Sequence, residues 1–472
     1  MPTNDLEEVL VSKLRWETVT ELPTPKEIIL EGELTESMIR ELSRIKHEPN
    51  WMLRLRLRAF ELWNKLPMPN WLIGIDELEL SNLAHYTKPA IERKEEYTDL
   101  PKALFDFYVS LGIPESEARY LSGLAGVLDS EIIIMRVKNW LQKHNVIFTE
   151  METAVRKYPD LVKKYFSRIY PMADHKFAAL HYALWSEGAF VYVPPNVRIE
   201  QPIEAFFIIS GALESQYEHK MVIADENSYI HFIEGCAAPM FPSYSFHDGS
   251  VEVFVHRDAH VRFTTIQNWS KKIMNFNNKR AIVERNGYVE WLEGGTGSKV
   301  SYVYPSAILK GENSRASILS VSVSNGPYIK DNGAKVYHLA PNTRSEVIAK
   351  SISANGGLSI YRGLIYVAKG AVNATSTVQC DSLILDPKSK SMTIPHNQVL
   401  EPTAEVTHEA TAGKISEDMI FYLQSRGLSE EESKSLIVLG FIHDLIKQLS
   451  FEMANILNTV IQMEFSKYGG VG

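Results

Sequence analysis

Thiols are nearly absent from this chain of 472 residues, which has two cysteines, Cys236 and Cys380. Two cysteines make no disulfide framework, and free thiols suit a reducing compartment. Long apolar runs are missing too: none approaches the ~18 residues a membrane helix needs. The start, MPTNDLEEVLV, has neither the basic residues nor the apolar core of a signal peptide. The expectation is a cytoplasmic protein without membrane insertion. A cationic surplus is also lacking. Lys and Arg number 49 against 58 Asp and Glu, a formal net charge of -9, which argues against nucleic-acid binding through a clustered basic surface. The 45% hydrophobic and 23% charged residues are those of an ordinary globular protein long enough for two or three domains.

What is present changes texture twice. The first part reads as helical. In TESMIRELSRIK, Met38, Ile39, Leu42 and Ile45 recur at helical spacing and Thr35 stands at the N-cap. WMLRLRLRAFELWNK follows Pro49 as a second helix, with Arg54, Arg56 and Arg58 read as a solvated face, and ALFDFYVSLG and SEARYLSGLAGVL read as further helices. From about residue 185 the helical period is almost absent. Short alternating strands such as MVIADENSYIHFI, VEVFVHRDAHVRFTTI and RAIVERNGYVEWLEG are joined by turns near residues 227, 258, 286 and 313, a recurrence of roughly 30 residues. Such a run is too long for one sandwich sheet. A β-solenoid, in which each coil covers its neighbour's edge, and a pair of β-sandwiches both remain open from spacing alone. Helical period returns near residue 415: Ser429 and Glu432 form a capping box, and SFEMANILNTVIQMEF carries Met453, Ile456, Leu457, Val460 and Ile461 along one side. The expected division is a helical domain over 1–175, a β core over 176–405 and a C-terminal helical domain over 406–472.

Cys380 lies in STVQCDSLIL, a strand whose alternation puts Val378, Cys380, Ser382 and Ile384 on one face. A lone cysteine there is ordinarily a small buried hydrophobe. THEATAGKIS follows about 28 residues later, and the Pro-rich tract between would let His408 and Glu409 fold back beside the thiol. Thiolate, imidazole and carboxylate make a ligand set for iron or zinc. Cys236, in IHFIEGCAAPMFPSYS, stands where a strand runs out into a turn, a context that favours exposure or a channel mouth. His256 and His260 form H-x-x-x-H across a turn and need not converge. GGTGSKVS, at 294–301, lacks the glycine before Lys299 and the following helix of a phosphate loop, so no nucleotide site of the chain's own is expected. The apolar residues Leu436, Ile437, Phe441, Leu445 and Leu449 exceed what the short C-terminal helices hide among themselves, pointing to a docking surface.

TTIQNWS at 264–270, EGCAAP with Glu234 and Pro239 at its ends, HEATAGKISEDM at 408–419 and RIYPMADHKFAALHYALWSEGAFVYVP together resemble the SufB/SufD family of SUF iron–sulfur cluster assembly proteins, and within it the SufB type. The resemblance covers more than nine-tenths of the chain. It implies a right-handed parallel β-helix between helical ends, a non-enzymatic scaffold on which a transient iron–sulfur cluster is built, and C-terminal helices that dock a SufC-type ABC ATPase. It further implies that Cys380, His408 and Glu409 belong to cluster assembly, that Cys236 receives sulfur from a donor protein, and that Gln267 and Trp269 line the route between the thiols. A cluster normally takes four protein ligands, so a second SufB or SufD subunit, in a homo- or heterodimer, is expected to complete the site. The sequence departs from the family where Ile208 and Ser210 replace an Arg and an Asn; Thr407 stands where some members have a Glu, and the N-terminal cysteine cluster of some bacterial members is absent. A SufD-type structural partner and a β-helix enzyme acting on polysaccharide are the alternatives; Cys380 argues against the first, and the second would need an exposed groove of carboxylates.

Overall fold

The computed structural model describes residue 22, residues 24–447 apart from 95–96 and 111–120, and residues 454, 461, 464 and 465; the side chains of 107–110 and 444–445 also lie outside it. The β core is a parallel solenoid of about eight turns, which decides between the two architectures that spacing leaves open. Strands alternate between a nine-stranded and a ten-stranded sheet that face each other across one core. Within each sheet, parallel neighbours keep register along their whole length, as between Ser245–Val255 and Ile273–Val283.

The recurrence seen in the sequence comes from the corners. Asn196, Asn227, Asp258, Asn286, Asn313, Asn342 and Asn373 all adopt φ between 56° and 63°, the left-handed region that short polar side chains tolerate best. They stack coil on coil. The Asn227 amide donates to Asn196 at 2.8 Å, Asn286 to Asp258 at 2.7 Å and Asn313 to Asn286 at 3.1 Å. Each such bond joins residues 27–31 apart in sequence, which is one coil.

Within a coil, alternation sends one set of side chains inward and the other outward. Inward residues such as Val222, Val253, Phe263, Trp291, Val347 and Val378 fill the core. Outward residues of the nine-stranded sheet, among them Met221, Phe246 and Phe276, pack under helices Glu36–Ile45, Asn50–Lys65 and Lys176–Leu184. Thr35 caps the first of these by accepting from the Met38 amide at 3.2 Å. On the outer face of the ten-stranded sheet, Leu319, Val321, Val323 and Ile352 are covered by Val438 and Ile442 of helix Glu430–Ile446. The expected capping box opens that helix, with Glu432 and Ser429 bonded reciprocally at 2.7 and 3.1 Å.

The structure corrects several readings. Gly123–Leu128 is a strand, not a helix, and joins the ten-stranded sheet beside Ile203–Ile208. The first part also contributes strands Lys26–Glu31, Ala84–Pro89, Glu131–Val137 and Ile147–Glu150, so it is mixed rather than helical. Arg56 is fully buried, not solvated: it pairs with Glu48 at 2.6 Å and donates to the Ala183 and Trp185 carbonyls. The boundary expected at 406 cuts through the last solenoid strand, Glu405–Lys414, and the C-terminal helices begin at Glu417. Leu445, Leu449, Met453, Ile456, Leu457 and Val460 fall outside the described side chains, while Ile461 is buried against the sheet.

Candidate functional site

Two sites form inside the solenoid, one around each cysteine. Cys380, on Thr375–Ile384, points inward with Val378 and is 3% exposed. The next strand in the same sheet, Glu405–Lys414, aligns His408 with Val378 and Ala410 with Cys380. Cross-strand neighbours share a face, so the imidazole reaches the thiol: Cys380 Sγ lies 3.4 Å from His408 Nε2. Tyr361 presents its ring from the opposite sheet, edge-on to His408 at 6.4 Å between centroids. Burial pushes the Cys380 thiol up to about 12, with the Tyr361 hydroxyl drawing it back and Asp381 adding to the rise. Burial holds His408 below its usual value, so the ring is neutral at pH 7 with a lone pair to offer a proton or a metal. Glu409 is not part of this cluster. It aligns with Gln379, on the outer face of the extended strand, and is exposed.

Cys236, on Tyr229–Ala237, is 1% exposed, which overturns the expectation of an exposed thiol or channel mouth: its strand is covered by neighbours on both sides and by the opposite sheet. Its cross-strand partners are Phe207 and Gln267. Gln267 and Trp269 both face this region. Gln267 Oε1 accepts from the Asn275 amide at 2.7 Å, and the Trp269 ring lies 4.6 Å from the His247 ring.

Around Cys236 the interior is charged. Glu218, Lys220 and His247 come from the nine-stranded sheet, Glu234 from the strand of Cys236 itself, and all are fully buried. Lys220 pairs with Glu218 and, at 2.9 Å, with Glu234. One coil further, Lys279 bridges Glu234 at 3.3 Å and Glu293 at 3.0 Å and donates to Thr265. Buried charges persist where they are paired in this way. Burial alone would raise the Glu234 carboxyl, but Lys220 and Lys279 hold it well below the usual range. Glu293 stays raised, to about 7, because burial outweighs Lys279. Burial, then Glu234 and Glu218, keep the Cys236 thiol well above its usual value and protonated.

A line of cross-strand partners joins the two sites. Glu234 pairs with Thr265, Thr265 with Glu293, Glu293 with Ser320, Ser320 with Ala349, and Ala349 with Cys380. Five steps of about 4.8 Å put the thiols' strands roughly 24 Å apart. The neighbouring column runs Cys236, Gln267, Gly295, Ser322, Ser351, Ser382. Its side chains are small and polar, and a Cβ at Gly295 would meet nothing within 4 Å. Ile208 and Ser210, the two departures from the family pattern, leave this interior untouched. Ile208 packs outward with Leu124 and Leu128, and Ser210 bonds Asp129.

Glu218, Lys220, Glu234, His247, Lys279 and Glu293 escape the sequence reading. The available signal was a charge at an inward position of an alternating strand, as in EHKMVIA, where Glu218 and Lys220 share the parity of the core residues Val222 and Ala224. At the C-terminal end, Ile437 and Phe441 are half-buried against the solenoid and Lys350 donates to the Phe441 carbonyl at 2.8 Å. Part of the apolar surface read as a docking face is thus spent on the solenoid itself. Leu436 remains exposed (51%), as do Met419, Phe421 (72%) and Tyr422 on the preceding helix.

Residues 207–441 match the family described as "SUF system FeS cluster assembly, SufBD core domain", and residues 131–205 match "SufBD protein N-terminal region". The chain is 42% identical over 439 residues to the "Iron-sulfur cluster assembly SufBD family protein" of Staphylococcus aureus (strain MRSA252), covering 93% of this chain and 94% of that protein. Its similarity to the protein of the same description from Staphylococcus haemolyticus (strain JCSC1435) has the same extent.

Proposed function

Because the chain belongs to the SufB/SufD family of SUF-system iron–sulfur cluster assembly proteins, we propose that it is the SufB-type scaffold, on which a nascent cluster is built at Cys380 and His408 and then released. The observation that carries this reading is the 3.4 Å approach of Cys380 Sγ to His408 Nε2 on adjacent strands at the end of the solenoid. A neutral imidazole beside a buried thiol can take the thiol's proton, and thiolate and imidazole are both ligands for iron. A SufD-type partner would have no need of that thiol, and the family assignment does not favour a polysaccharide-acting enzyme.

Two protein donors do not complete a cluster. The last strands of the two sheets, Lys390–Val399 and Glu405–Lys414, are exposed edges, the first bearing Met392, Ile394 and Val399 with Leu400 just past its end. Unpaired edges of this kind invite another chain. A second SufB or SufD subunit seated there supplies the missing ligands, and Glu409, facing outward, serves that interface rather than the centre on its own chain. Cys236 receives sulfur from a donor protein, and the polar interior conveys it towards Cys380. A SufC-type ATPase docks on Phe421, Tyr422 and Leu436, and its ATP cycle opens the interface by favouring one arrangement over the other. Anaerobic reconstitution with iron and sulfide tests the central claim. Cys380→Ala and His408→Ala should each lose bound iron, while His443→Ala, on the exposed side of the C-terminal helix, should retain it. Equal retention by all three would sink the assignment.

A further inference from the structure

Glu218, Cys236 and His247 bring one carboxylate oxygen, one sulfur and one imidazole nitrogen within 4.8 Å of one another in the fully buried interior. We propose that these three side chains form a second metal site, separate from the cluster site, that takes a single borderline-soft divalent cation of the zinc or ferrous type. One Cys, one His and one carboxylate, with a further position open, are a donor set such ions accept.

The surroundings prepare each donor. The Asn275 amide nitrogen donates to Gln267 Oε1 at 2.7 Å and to Ser301 Oγ at 3.0 Å, which turns its oxygen to His247 Nδ1 at 2.7 Å. The oxygen only accepts, so Nδ1 carries a proton and Nε2 is the nitrogen presented to Glu218, 3.1 Å away. A neutral ring and a carboxylate then face each other as two acceptors, a pairing that needs a cation between them or a second proton on the ring. Glu218 Oε1 already takes Lys220, while Oε2 is buried with no hydrogen-bond partner among the described residues. Charge points the same way. Three buried carboxylates, Glu218, Glu234 and Glu293, surround two ammonium groups, Lys220 and Lys279. With Glu293 ionised, as it is above about pH 7, a divalent ion bound with Cys236 as thiolate adds one net positive charge and balances the set. On binding, the sulfur–metal bond replaces the sulfur–hydrogen bond and one proton leaves. The strand ends at Ala237, one residue past Cys236, and the connection that follows is exposed at Pro242.

The site does not rest on the scaffold reading, and its test uses no cluster assembly. In full-length Cys380→Ala protein the sole thiol is Cys236. Anaerobic titration with cobalt(II) should then give thiolate-to-cobalt charge-transfer absorption saturating at one equivalent, displaced by zinc(II). Cys236→Ser in the same background should abolish it. Asn275→Ala, which removes the group orienting His247 but no metal donor, should weaken binding about 10–100-fold; His247→Gln and Glu218→Gln should weaken it more. Circular dichroism identifies any variant that fails to fold, and the remaining ones carry the test. No charge-transfer absorption in Cys380→Ala, or unchanged affinity in the folded His247, Glu218 and Asn275 variants, overturns the proposal and leaves a protonated His247 as the partner of Glu218.

Discussion

Replacing Lys279 with Met removes the ammonium that holds Glu234 and Glu293 in the solenoid core, at 3.3 and 3.0 Å. At such separations and an effective dielectric of about 20, each pair is worth roughly 5 kcal/mol of attraction. Against that total of about 10 kcal/mol stands a desolvation cost of several kcal/mol for the ammonium, which leaves a net loss of about 3–5 kcal/mol, the range for breaking a buried pair from one side. Glu234 keeps Lys220 at 2.9 Å, so the unpaired charge falls mainly on Glu293. The double variant Lys279→Met/Glu293→Gln should therefore recover at least about 2 kcal/mol of the loss. The pH dependence has a definite sign. The folded-state value of Glu293, about 7, lies above an unfolded value of about 4.3. Between the two, the folded state holds a proton that the unfolded state has released, and stability falls by about 1.4 kcal/mol per unit as pH rises. In the wild type this fall ends near pH 7; without Lys279 it continues higher. Urea denaturation followed by circular dichroism should show the gap between variant and wild type widening from pH 6 to pH 8. A single variant as stable as the wild type at pH 8, or a double variant no more stable than the single, would refute the pairing as the source of this stability.

The two thiol variants should fail differently: Cys380→Ala should lose the cluster even with free sulfide, whereas Cys236→Ala should accept a chemically reconstituted cluster and fail only with an enzymatic sulfur donor. Identical behaviour in both assays would remove the division of roles. For the ATPase surface, Phe421→Asp with Leu436→Asp should abolish co-purification with the ATPase while leaving the melting curve unchanged, since both side chains are exposed; retained binding would place the docking site elsewhere. At the solenoid corner, Asn313→Ala should cost about 1–2 kcal/mol from the left-handed backbone and the lost amide bond to Asn286. Asn313→Gly should cost less, and equal losses would show that the backbone conformation contributes nothing.

Local chemistry determined much of this protein in advance. Asn and Asp at 27–31-residue intervals mark the left-handed corners, and period-two alternation puts Cys380 on the same face as Val378, while the packed structure decides that these corners close a solenoid rather than two sandwiches and that this face points inward. His408 lies 28 residues after Cys380, and the Pro-rich tract between them together with the family resemblance is what paired the two before any coordinates; the next strand's register then puts His408 opposite Val378. The same alternation puts Glu409 on the opposite face from His408, and the extended strand through both leaves no turn to bring them together. Other outcomes depend on distances across the core. Glu218, Lys220 and His247 meet Cys236 and Glu234 only because two sheets close on each other; alternation assigns a face but not a partner on the opposite sheet. Arg56 is buried because carbonyls at the end of helix Lys176–Leu184 lie against it, 127 and 129 residues away in sequence. Ile437 and Phe441 carry the apolar pattern of a docking helix, yet part of their surface is spent on the solenoid's own outer face. Helical period states that a face is apolar; only the packed structure decides which apolar surface covers it.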